Sequence, residues 1–230
     1  MNCWNIMTAV RVIFCIKKKQ RKGDLVKNRL LIIWLTCIAV ITITGCTSPT
    51  PAQNQYRLNL QTKAVKAETG KCRQKTLKVE RSFGDKLYMS LKMYYVEGKY
   101  AQYSYAQSRW AQTPNDALTY AVTEYLRAMN LFKSVQSADS KTKNDYRLEI
   151  NIEDFMQYFD ENEKNSFVNV VITCNLVDEA SHKTVATKTF HFKQKTLSDD
   201  AKGGVIALSN ALDEILKECG LWLQGVCLDK

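Results

Sequence analysis

The chain predicts a single α+β domain, an antiparallel or mixed β-sheet with two main amphipathic helices packed on it. Three observations lead there. Tyr146, Leu148, Ile150 and Ile152 alternate with Arg147, Glu149, Asn151 and Glu153, and Val168, Val170, Ile172, Cys174 and Leu176 repeat the same period of two. That period belongs to strands with one buried face. The connections at 160–165 and 179–182 are short enough for an antiparallel meander with a third strand around 185–193. Two other segments place apolar residues at steps of three and four, the spacing of a helix with one apolar face. Strands and helices in this order make an α+β arrangement.

The elements follow in order along the chain. Leu77 and Val79 predict a first strand, and Leu87, Met89, Leu91, Met93 and Tyr95 a second, since each set alternates with polar neighbours. Glu97-Gly98-Lys99 reads as a tight turn into a strand from Tyr100 to Tyr105. Thr113-Pro114-Asn115-Asp116 opens a helix, with Thr at N-cap, Pro at N1 where no amide bond is lost, and Asp near the positive end of the dipole. Leu118, Val122, Tyr125, Leu126 and Met129 share one face of it, and Asn130 is the expected stop. A last helix follows Ser198-Asp199-Asp200 and carries Val205, Leu208, Leu212, Ile215 and Cys219, with Gly220 expected as its C′ residue. Gly203-Gly204 in its first turn weakens the start by about 1 kcal/mol per Gly relative to Ala.

The amino-terminal region reads differently. Leu30 to Ile43 holds no charged residue and follows Lys17, Lys18, Lys19, Arg21, Lys22, Lys27 and Arg29. A basic region, a short apolar run and a small-residue cleavage site make a secretory signal. Its end, Ile43-Thr44-Gly45-Cys46, resembles the lipobox of bacterial lipoproteins, in which the cysteine after the cleavage point carries the lipid. Thr47-Ser48-Pro49-Thr50-Pro51 is a polar, Pro-containing tether. The alternative, an uncleaved membrane span, needs about 20 apolar residues, more than this run supplies. The expected organisation is 1–45 as extension and signal peptide, 46–55 as lipidated Cys46 and tether, and 56–230 as the folded domain. Residues 1–24 make an unusually long leader, so translation is expected to begin near Leu25 or Val26.

Cleavage changes the meaning of the charge. The full chain carries 33 Lys and Arg against 23 Asp and Glu, a net +10. Eight of the basic residues and one of the acidic ones precede Cys46, which leaves only +3 on the remaining 185 residues. No dense basic patch remains, and a nucleic-acid partner is excluded. A length of 185 residues suits one compact domain and not comfortably two.

With Cys46 committed to lipid, Cys72, Cys174, Cys219 and Cys227 remain, and four thiols allow three full pairings. Cys174 lies in an apolar strand register and is expected to be a free core thiol. One bridge among Cys72, Cys219 and Cys227 suits an oxidising compartment. There is no Cys-x-x-Cys and no nearby His, so neither a metal nor a cofactor is expected. Gly-x-Ser-x-Gly, P-loop and dinucleotide fingerprints are missing too. His182 sits in a turn and His191 on the outer face of a strand; Asp160-Glu161-Asn162-Glu163 lacks the Gly and closing Glu of a calcium loop. Asp199-Asp200 reads as helix capping. The aromatic group Tyr94, Tyr95, Tyr100, Tyr103, Tyr105 and Trp110 divides between cross-strand pairing and an interface, where Tyr and Trp are favoured.

The stretch Tyr103-Ser104-Tyr105-Ala106-Gln107-Ser108-Arg109-Trp110-Ala111-Gln112-Thr113-Pro114, with its exit through Leu131-Phe132-Lys133-Ser134-Val135, resembles the central signature of the ABC-type transport auxiliary lipoproteins. The strand Leu148 to Phe155, the lipobox and the last helix fall where that family has them. The resemblance covers essentially the whole region after the signal. It implies a non-enzymatic auxiliary lipoprotein of an MCE-type system moving phospholipid between membranes. Its partners would be the outer membrane through the lipid anchor, an MCE-domain protein, and a separate ABC permease and ATPase; a homo-oligomeric ring is part of the same expectation. The family brings no catalytic residues. Tyr100, Tyr103, Arg109 and Trp110 are the candidate interface positions, with Trp110 alternatively packing under the helix that Pro114 starts. A second reading is a periplasmic carrier that binds a lipid or other apolar cargo directly, which requires an internal cavity.

Overall fold

A computed structural model describes residues 52–61, 63–67, 70–161 and 165–228. Cys46, the signal and most of the tether lie outside the described residues. Among the described residues nine strands form one mixed sheet: β1 (Asn54–Tyr56), β2 (Thr76–Val79), β3 (Phe83–Gly84), β4 (Lys92–Glu97), β5 (Ala101–Trp110), β6 (Ser134–Gln136), β7 (Tyr146–Phe159), β8 (Ser166–Asp178) and β9 (Lys183–Lys195). The α-helices among these residues are α1 (Pro114–Met129) and α2 (Ala201–Leu228). The expected α+β domain is therefore present, in its mixed rather than purely antiparallel form. Strand β1 already begins at Asn54, inside the stretch expected to be tether.

The frame is the meander β7–β8–β9, paired antiparallel along its length. The other edge of β7 is shared by three short parallel partners: β2 at Tyr146–Leu148, β3 at Asn151–Ile152 and β4 at Gln157–Phe159. Strand β6 extends β2, while β5 and then β1 extend β4. Where β3 and β4 leave a gap, the Phe155 amide donates to the hydroxyl of buried Tyr88 at 3.2 Å. A buried amide needs such a partner.

One face of the meander is apolar. Val168, Val170, Ile172, Cys174 and Leu176 of β8 join Leu148, Ile150, Ile152 and Phe190 in a core completed by Leu118, Val122 and Leu126 of α1 and Leu208, Leu212, Ile215 and Leu223 of α2. The other face is polar: Asn169, Thr173 and Asn175 hydrogen-bond to His191, Thr189 and Thr187 of β9. A bulge at Glu153 offsets β7 by one residue against β8. It turns Phe155, Gln157 and Phe159 inward and sends Asp154 outward, where its carboxylate accepts from Tyr158 Oη at 2.6 Å and Asn169 Nδ2 at 2.7 Å.

Turn and cap chemistry mostly falls where expected. Gly98 takes φ +59° in the β4–β5 hairpin, and Asn130 ends α1 in the left-handed region at φ 56°. Thr113 is the N-cap of α1, but its hydroxyl donates to Asp116 Oδ2 at 2.9 Å instead of accepting a backbone amide. Asp200 caps α2: its Oδ1 accepts from the Gly203 amide at 2.7 Å and from Ser198 Oγ. Those two bonds hold its carboxyl below the usual range.

Three expectations are corrected. Leu87, Met89 and Leu91 are not strand: the first two lie in a 3-10 turn (Lys86–Met89) because Asp85 Oδ1 accepts from the Leu87 amide at 3.0 Å, and β4 starts only at Lys92. Such a local side-chain bond competes with a ladder. Gly220 does not end the last helix, which continues to Leu228. It lies against α1, where a Cβ would fall 2.5 Å from Met129 Sδ and 2.8 Å from Tyr125 Cε1. Gly203-Gly204 is likewise a fit as well as a weak start, since a Cβ on Gly204 would meet Gln157 Oε1 at 2.0 Å. Replacing Gly220 by Leu is expected to lower stability by about 1–3 kcal/mol, as overpacking does. Urea melts check this; a midpoint equal to wild type would mean that the helices do not touch there.

Among the described residues the cysteines resolve into one bridge and two thiols. Cys72, in a 3-10 turn (Lys71–Gln74), is bonded to Cys227 near the end of α2, with Cα atoms 5.4 Å apart. Cys174 and Cys219 are free and buried. Their mutual hydrogen bond, then burial, push the Cys174 thiol up, so it resists ionisation.

Candidate functional site

The signature residues gather where β4 and β5 meet the start of α1. Tyr95 is the hub of the hairpin's aromatic side, with ring centroids 5.7 Å from Tyr103, 4.6 Å from Tyr105 and 5.3 Å from Phe159. Exposure separates the candidates. Tyr100, at the hairpin turn, is 95% exposed and Tyr103 49%, whereas Trp110 is only 5% exposed. Trp110 packs beside Phe155, with ring centroids 6.3 Å apart, and borders the same crevice as Pro114. It is a core residue under the helix start. Arg109 points to the opposite face of β5 and is half-buried. The expected interface set therefore divides: Tyr100 and Tyr103 are available to a partner, Arg109 partly so, and Trp110 is not.

Sequence reasoning did not single out Gln157. Its Oε1 accepts from Tyr105 Oη at 2.9 Å, and its Nε2 donates to Ser166 Oγ at 2.9 Å and the Asp200 carbonyl at 3.3 Å. Ser166 Oγ lies 2.5 Å from Thr196 Oγ1 and donates to Asp199 Oδ1 at 2.8 Å. This buried network ties the hairpin to β7, β8 and the start of α2, and a satisfied network of this kind specifies one packing. Burial first, and then neighbouring acidic groups, raise the Tyr105 phenol far above its ordinary value. Burial likewise pushes Tyr88 up to about 12, and desolvation raises the Asp154 carboxyl. The one sequence signal was Gly204, whose missing Cβ leaves room for the Gln157 amide.

The interior is well filled beside this site. The crevice between Tyr88, Met93, Trp110, Phe155 and Leu208 has about 10 Å³ of room, the space of roughly one water. A larger groove of about 370 Å³ opens at the surface between Leu58–Leu60 and the first turns of α1, with Tyr120 at its rim. Among the described residues, no group of three His, Cys, Asp or Glu is arranged to hold a metal, and no helix is long and apolar enough to cross a membrane.

A family model described as the ABC-type transport auxiliary lipoprotein component matches residues 92–219, more than half of the chain, and the chain belongs to that family. The match runs from the start of β4 into α2. Among solved structures, a Xanthomonas campestris protein of the DUF330 family superposes with a TM-score of 0.66 at 17% identity, over 75% of this chain and 96% of its own. The crystal structure of an uncharacterized protein gives 0.57 at 13% identity, over 75% and 99%. At these identities the likeness is one of fold. No match to the chain is found among curated proteins.

Proposed function

We propose that this protein is the lipid-anchored auxiliary component of an MCE-type ABC system that moves phospholipid between membranes. It sits on the periplasmic face of the outer membrane through Cys46 and docks the periplasmic machinery there. The observation that carries docking is the division of the signature: Trp110 is in the core, while Tyr100 and Tyr103 project from the same hairpin into solvent. Exposed Tyr side chains on a rigid support are favoured anchors of binding energy. The filled crevice beside Trp110 supports docking over enclosed cargo. Thr47, in place of the Asp that retains enterobacterial lipoproteins at the inner membrane, supports the outer-membrane assignment. The described domain is read as the single working unit, and its role as non-enzymatic.

The test is rescue of envelope permeability in a deletion strain. Tyr100→Ala and Tyr103→Ala are expected to lose rescue while keeping wild-type abundance and thermal midpoint. Cys46→Ser is expected to leave an unprocessed precursor that takes up no labelled fatty acid. Full rescue by both tyrosine variants would move the interface elsewhere, and wild-type acylation of Cys46→Ser would remove the anchor. The groove beside Leu58–Leu60, about 370 Å³ in size, falls within the range of ligand sites and favours direct carriage as the second reading. Native mass spectrometry with bound phospholipid would support that reading.

A further inference from the structure

We propose that Lys92 and Arg109 form a binding site for the phosphate group of a membrane lipid. The two residues are directly opposite one another on antiparallel β4 and β5, so their side chains rise from the same face of the sheet. Like charges in that relation repel. Neither side chain has an ion pair or hydrogen bond to another described residue, and the Arg109 Nε is buried without a partner. A buried donor of this kind is unfavourable unless something accepts from it.

Both residues line a groove of about 380 Å³ together with Gln53, Ser104 and Ser108. Two cations and two hydroxyls are donors to an anion, the Gln53 amide already donates to the Ala106 carbonyl at 3.1 Å, and no carboxylate among the described residues lines the groove. The guanidinium fork matches two oxygens of a phosphate, while the ammonium supplies a point charge. Leu91, 36% exposed, stands at the rim, where the start of an acyl chain can lie against it.

A lipid is the source because of where the chain arrives. Gln55 is in register with Arg109 on the parallel strand β1. Cys46 lies seven residues before Gln53, a reach of up to about 25 Å. A membrane surface held by Cys46 would present its headgroups within that distance; this part rests on the anchor proposed above.

The test titrates the full chain, in neutral detergent, with soluble dihexanoyl phosphatidylglycerol or with inorganic phosphate, followed by calorimetry. The account predicts saturable binding of the short-chain lipid, weakened about tenfold or more in Arg109→Gln, as loss of a charge-assisted bond implies. Lys92→Gln, at an exposed position, should weaken it less and keep the wild-type thermal midpoint. Lys188→Gln, whose ammonium lies over Phe190, should bind as wild type. Equal affinity for inorganic phosphate would overturn the lipid as source while supporting the site. Absence of saturable binding, or binding untouched in both Arg109→Gln and Lys92→Gln, would overturn the site. The ligand is soluble, so a failed anchor would appear as lost acylation with this binding intact.

Discussion

Replacing Cys72 and Cys227 together by alanine is expected to lower stability by about 4–5 kcal/mol. The bridge joins residues 155 apart in sequence, and loop-closure entropy makes long loops the most strongly affected. For a domain of this size the thermal midpoint should fall by roughly 10 °C or more. The physical target is the end of α2. The bridge fastens it to the 3-10 turn before β2, where a Cβ on Gly70 would already sit 3.0 Å from the Cys227 carbonyl. Calorimetry with and without reductant gives an internal control, because reduced wild type should converge on the double variant. An unchanged midpoint in both would mean that the bridge constrains nothing.

Trp110→Ala is expected to be nearly as damaging, by about 3–5 kcal/mol, because truncating a buried aromatic leaves a cavity. Tyr100→Ala, at a position 95% exposed, should change stability by no more than about 0.5 kcal/mol. The two variants lie on one strand hairpin and should lose transport for opposite reasons. Trp110→Ala should reduce the folded protein in the envelope, whereas Tyr100→Ala should leave it abundant and inactive. Urea melts alongside immunoblots of fractionated envelopes separate them. A Trp110→Ala protein as stable as wild type would contradict the packing described here.

The meander was legible because the first half of β7 and most of β8 hold a period of two and short connections join β7, β8 and β9, and the hairpin because Gly98 and its neighbours have turn chemistry. Asn130 announced the end of α1 for the same local reason. What was not legible is non-local. Strands β3 and β6 are only two and three residues long, and the partners of β2, β3 and β6 are set by distant segments: β2 and β3 add to the edge of β7, and β6 adds to β2. The Cys72–Cys227 pairing depends on where α2 ends, which Gly220 obscured: a glycine that admits a neighbouring helix looks in sequence like one that stops its own. Of the candidate positions, the motif could not say which are buried and which exposed. Trp110 and Tyr100 are both aromatic, and burial alone tells them apart. Gln157 was invisible because the bulge at Glu153 changes which residues of β7 face inward, a displacement that alternation cannot anticipate.

Docking through the hairpin is the central claim, and site-specific photo-crosslinking from position 100 in intact envelopes tests it most directly. A photoreactive amino acid replaces Tyr100 in the otherwise native, acylated chain, and the crosslinked partner is identified by mass spectrometry. The account predicts one dominant adduct with an MCE-domain protein or its ABC permease, and none from the same probe at Val185, which is 48% exposed and lies near the end of the meander opposite the hairpin. No adduct from position 100 in a strain with working transport, or equal adducts from both positions, would contradict it.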